Sequence, residues 1–134
     1  MKAIDLHDES VWKTDNQGAE YTVSVPCDNP CLRSGAVTVL MVCEGRAFTP
    51  EDRDHAQQLL DALPQRLNSI FARMMDLLGI RESSEFHAAK GTPTLMLEAG
   101  DHNRWIFALD SVPQDSSLFV EWANDQIVNV WLSG

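Results

Sequence analysis

The chain has 134 residues, with twenty Asp and Glu against ten Lys and Arg, a formal net charge of -10, and 44% hydrophobic residues. A chain of that size suits one core, with roughly two thirds of the unfolded surface buried on folding, and the hydrophobic content excludes the sparse, highly charged composition of disordered chains. The acidity argues against simple attraction to nucleic-acid phosphates or an anionic membrane; it makes a basic protein the natural counterpart, while also serving solubility.

Residues 1–9 include three acids and no apolar run of the length that a secretory signal or a spanning helix requires. The longest apolar run, Ala36-Val37-Thr38-Val39-Leu40-Met41-Val42-Cys43, has the length of a buried strand. Cys27, Cys31 and Cys43 are an odd set without a disulfide framework, as a reducing compartment favours. The expectation is a single domain over residues 1–134, soluble and cytoplasmic.

Val11-Trp12-Lys13-Thr14 and Glu20-Tyr21-Thr22-Val23-Ser24-Val25 read as strands across a polar turn, Asp15-Asn16-Gln17-Gly18. Pro26 stops the second, and residues 26–35 form a loop before the apolar strand at 36–43. Thr49-Pro50-Glu51-Asp52 is a helix start: threonine accepts from open backbone donors, proline loses no bond at the first helical position, and acids suit the positive helix end. Ala56, Leu59, Leu60, Leu63, Leu67, Ile70, Phe71, Met74, Leu77 and Leu78 then recur every three or four residues on one stripe, and Gly79 is placed to cap the end. Pro64 removes one helical hydrogen bond, which predicts a kink or a break near residue 63; the stripe stays in phase across it, which favours a kink.

After a polar stretch over residues 81–93, strands are predicted at 94–98, 104–110, 117–122 and 126–132. Their connectors are short enough to make antiparallel neighbours. The predicted fold is α+β: an antiparallel sheet of about six or seven strands, three N-terminal and four in a C-terminal meander, covered on one face by the long central helix. Leu60, Leu67, Phe71 and Met74 are expected in the core.

Motifs for chemistry are missing. Cys27-Asp28-Asn29-Pro30-Cys31 lacks the two-residue spacing of zinc knuckles and a second ligand pair, and none of His7, His55, His87 and His102 stands near another ligand in sequence, so no metal is expected. Cys43, ending an apolar strand, reads as a small buried hydrophobe. No nucleophile motif and no phosphate-cradling glycine loop occurs, so no cofactor, nucleotide or catalytic residue is assigned. His55 with Asp52 or Asp54 lies in the first helical turns, where acids mainly serve the helix dipole. A carboxylate pair drawn from Glu98, Asp110 and Glu121 is the one route to a small hydrolase.

The meander carries apolar side chains on both faces. Trp105, Phe107 and Leu109 alternate with Ile106 and Ala108, while Leu118, Val120 and Trp122 oppose Phe119 and Glu121. One face is core; the other is covered by loops or the N-terminal strands, or it is a partner surface of aromatic anchors within an acidic rim.

In size, acidity, cytosolic character and catalytic-residue-free α+β pattern, the chain resembles small bacterial immunity proteins. That resemblance implies a non-catalytic inhibitor that sequesters a basic toxin or effector by occluding its active site. Glu98, Asp101, Asp110, Glu121 and Asp125 would then supply charge complementarity, and Trp105 or Trp122 the anchor. The alternatives are a secretion chaperone or adaptor for a client protein, and the small hydrolase above.

Overall fold

The extended segments pair into one sheet, in the order β1-β2-β3-β4-β5-β6-β7, with burial alternating most clearly along β3 and β5. The strands are Lys13–Thr14 (β1), Glu20–Pro26 (β2), Ala36–Val42 (β3), Lys90–Glu98 (β4), Asp101–Ser111 (β5), Ser116–Ala123 (β6) and Gln126–Ser133 (β7), with the helix Pro50–Leu78 (α1) between β3 and β4. The computed structural model describes residues 4–14, 18–27, 35–78, 90–111, 116–124 and 126–133. The three N-terminal strands, the central helix and the four-stranded meander are those the sequence predicts.

One pairing departs from the expected all-antiparallel sheet. β3 and β4 run parallel, with Val39 opposite Leu95 and Met41 opposite Leu97. The helical crossover carries the chain back to the end of the sheet at which β3 began, so the strand that follows runs parallel to β3. All other neighbours are antiparallel.

The first strand is shorter than predicted. Glu9–Val11 forms a 3₁₀ turn, capped by the Asp8 carboxylate accepting from the Ser10 N–H at 2.9 Å. Trp12 is buried instead of pairing: its indole N–H donates to the Leu6 carbonyl at 2.8 Å, and its ring meets Phe48 edge-on at 4.9 Å. The segment before β1 is tied to the helix, the Leu6 N–H donating to Gln57 Oε1 at 3.2 Å and His7 reaching Asp54 at 2.7 Å.

α1 starts as expected. Thr49 Oγ1 accepts from the Asp52 N–H at 3.3 Å, and Asp52 Oδ2 accepts from the Thr49 N–H at 2.9 Å, a reciprocal capping box. The helix is unbroken through Pro64. Ala56, Leu59, Leu63, Leu67 and Ile70 are buried against Val37, Val39, Met41, Leu95, Leu97, Phe107, Leu109 and Val120, which is the core. Leu60 is only partly buried at its margin; the side chains of Phe71 and Met74, and the cap expected at Gly79, lie outside the described residues.

Cys43 follows β3 and is 2% exposed, its thiol pushed up by burial and then by the nearby Asp52 charge, which makes it inert. Cys27 is buried in the core, and Cys31 lies outside the described residues. No described helix is long and apolar enough to cross a membrane.

Candidate functional site

The face of the sheet opposite the buried core residues of α1 is open over β4 to β7 among the described residues, while at the β1–β3 end Ile4 and Val11 line a hollow with Thr22, Ser24 and Thr38. The N-terminal strands extend the sheet edgewise, so they do not cover it as one sequence reading allowed. The strand register brings Leu40 beside Met96, Met96 beside Ile106, Ala108 beside Phe119 and Phe119 beside Trp131, all partly exposed on this face. The Phe119 and Trp131 rings stack at 5.2 Å with 11° between planes, forming a flat aromatic platform. A concavity of about 260 Å³ opens near the β4–β5 turn, lined by Val42, Met96, Glu98, Asp101, Arg104 and Ile106 among others.

The residues expected to bind a partner divide between the faces. Glu98 sits half exposed on the open side, 3.5 Å from Arg46. Glu121 is on the same face, opposite Ile106, and pairs with Arg104. Each carboxylate of the supposed hydrolase pair that is described thus has its own arginine. Asp101 lines the concavity and accepts from the Asn103 N–H at 3.1 Å. Asp110 stands opposite Ser117 in the β5–β6 ladder, its side chain undescribed, and Asp125 lies outside the described residues.

The two tryptophans require a correction. Trp105 and Trp122, 4% and 7% exposed, are on the helix side, stacked on each other at 5.0 Å with 8° between planes. Arg66 of α1 covers both rings, its guanidinium carbon 5.6 and 5.4 Å from the ring centres. Period-two alternation puts both on one face, but sequence could not say which face α1 would take. The aromatic residues left for the open side are Phe119 and Trp131.

A second constellation, at the N-terminus of α1, escaped the sequence reading. Asp52 is 1% exposed, and Oδ1 accepts from the Gly100 N–H at 2.9 Å and from His102 Nε2 at 2.7 Å. Oδ2 accepts from the Thr49 N–H and hydroxyl, both at 2.9 Å. Burial pushes this carboxyl up, but the hydrogen bonds from Gly100, Thr49 and His102 outweigh it and hold the pKa at about 2. Against an ionised acceptor, His102 Nε2 carries a hydrogen, leaving Nδ1 as the lone-pair nitrogen of the neutral ring. His55, one turn along α1, brings its ring centre to 5.3 Å from that of His102. Its pKa is lowered by burial and then by His102, against smaller opposing effects of Asp101 and Asp52.

Beside these imidazoles runs a groove of about 440 Å³, lined by His55, Gln58, Arg66, His102, Asn103 and Asn124, with Leu59 and Trp105 as apolar wall. The helix start at Thr49–Asp52 was visible in the sequence. The partner that makes its acid more than a cap, His102, is 50 residues away and follows a turn that only the β4–β5 pairing places there. Among the described residues, no three His, Cys, Asp or Glu side chains are grouped to hold a metal ion.

No family model, no curated protein and no solved structure matches this chain, so its function is argued from these two surfaces.

Proposed function

We propose that this domain is a non-catalytic binding protein of the immunity type, which sequesters a basic toxin or effector protein on the open face of its sheet. The observation that carries this reading is that face itself: Leu40, Met96, Ile106, Phe119 and Trp131 form a partly exposed apolar band with Glu98 and Glu121 on the same face. An apolar centre with charged neighbours is the anatomy of a recognition patch, where aromatic side chains anchor and charges steer. The formal charge of -10 gives the steering its sign and makes the partner basic.

The anchoring role passes from the buried Trp105 and Trp122 to the Phe119–Trp131 platform. Glu98 and Glu121 supply charge complementarity by exchanging Arg46 and Arg104 for cations of the partner. Occlusion by a flat sheet requires no reacting group, in keeping with the pairing of both carboxylates.

The test is capture from the native host, identification of the captured protein and assay of its activity with and without this chain. A basic protein whose activity is suppressed, and which is lost by Trp131→Asp and by Phe119→Asp but retained by Gln57→Lys on the helix side, is the expected result. Capture of a neutral or acidic protein, or retention by both aromatic variants, would refute the proposal.

A further inference from the structure

We infer that the groove between α1 and the start of β5 binds a small ligand through a phosphate-like oxyanion. The walls carry the argument. His55, Gln58 and Arg66 reach the groove from α1, His102 and Asn103 from β5, and Asn124 from the β6–β7 turn. Every one of these side chains can donate a hydrogen bond, and no carboxylate lines the groove among the described residues. This wall stands in a chain with twenty acids against ten Lys and Arg.

Two carboxylates stand near the groove without lining it. Asp52 is buried and accepts from Gly100, Thr49 and His102; Asp101 accepts from the Asn103 N–H. The rim is set by backbone: Asn124 adopts a left-handed φ of 51°, and its N–H donates to the Asn103 carbonyl at 3.0 Å, locking the two amide-bearing residues together. Arg66 lies over the stacked Trp105 and Trp122, which restricts its rotamers. A restricted guanidinium fork loses little entropy in grasping an oxyanion, and a space of about 440 Å³ is the size of a small-molecule site.

Binding is coupled to protonation. The groups facing the two imidazoles are Arg66 and Asp52 from α1 and Asp101 from β5, with each ring facing the other and the Cys43 thiol near Asp52 behind them. An anion beside His55 favours its charged form, so affinity rises as pH falls through the imidazole range, and the pKa of His55 rises on binding. The groove lies against α1, away from the open face, so this inference stands apart from the proposed function.

Sulfate, whose charge is constant across this pH range, is the first probe, followed by inorganic phosphate and acetate at ionic strength fixed with sodium chloride. The readouts are calorimetry and the imidazole proton resonances of His55 and His102. Saturable binding of sulfate and phosphate is expected, tighter at about pH 6 than at about pH 8, with the His55 pKa raised. Gln58→Glu and Asn103→Asp put a carboxylate at exposed rim positions without removing a buried contact, and each should weaken binding about tenfold. Gln58→Lys should strengthen it, and thermal melting of all variants confirms that they fold. No saturable response, an equal response to chloride, tighter binding of acetate than of sulfate, or unchanged affinity in Gln58→Glu would overturn the inference.

Discussion

Asp52 and His102 meet at 2.7 Å across 50 residues of sequence and fasten the first turn of α1 to the β4–β5 turn. The same carboxylate also receives the backbone N–H groups of Thr49 and Gly100, so one side chain caps the helix and holds the neighbouring strand turn. Asp52→Ala leaves those donors in a buried setting without an acceptor. The expected loss is about 3 kcal/mol, measured from urea unfolding. His102→Ala removes one of the partners and should cost less; equal losses would show that the acid acts through His102 alone.

Acidification should remove stability in two stages. The folded pKa of His55 lies below its ordinary 6.5, so the unfolded chain takes up the proton first; stability is full above that value and declines as pH falls from it toward the folded pKa. Asp52 follows, with a folded pKa of about 2 against an ordinary 3.8: its contribution is full above 3.8 and is lost as pH falls through the folded value. The second stage is worth about 2 kcal/mol. Unfolding free energies at a series of pH values check both, and His55→Gln should abolish the first stage alone.

Packing along α1 is graded. Leu67 is fully buried beneath the sheet, whereas Leu60 is partly exposed at the core's margin. Leu67→Ala is expected to cost about 2 to 5 kcal/mol and Leu60→Ala clearly less. Denaturant midpoints at unchanged m-value test this, and equal costs would contradict the packing.

On the open face, charge and apolar contact should separate kinetically. Glu121→Lys should slow association with the proposed basic partner and flatten its salt dependence, because the charge acts at long range. Trp131→Ala should mainly speed dissociation and cost about 2 kcal/mol or more. Stopped-flow or surface binding kinetics against the captured protein separate the two; an association rate indifferent to salt would count against a basic partner.

Local pattern carried most of the fold into view. Period-two alternation marked β2 and the meander, the apolar run from Ala36 to Cys43 marked β3, and the stripe that begins at Ala56, with the Thr49 start, marked α1. What escaped depended on long-range placement. Trp12 alternates as a strand residue should, yet a buried bond to the Leu6 carbonyl outweighs ladder pairing at the sheet edge. Trp105 and Trp122 have the same period as exposed anchors would, and only the seat of α1 and Arg66 decides their burial. His55 and His102 looked isolated because ligand spacing is read along the chain, while a parallel crossover juxtaposes residues far apart in it.

The parallel β3–β4 junction also dictates an order of assembly. β2 with β3, and β4 through β7, can each form by short-range hairpin closure, but joining them requires the whole of α1 to be looped out first. Closing that seam is expected to be the step of longest loop closure, and until it closes the facing edges of β3 and β4 are unpaired. Those edges, Thr38 to Val42 and Thr94 to Glu98, are then open to self-association during refolding.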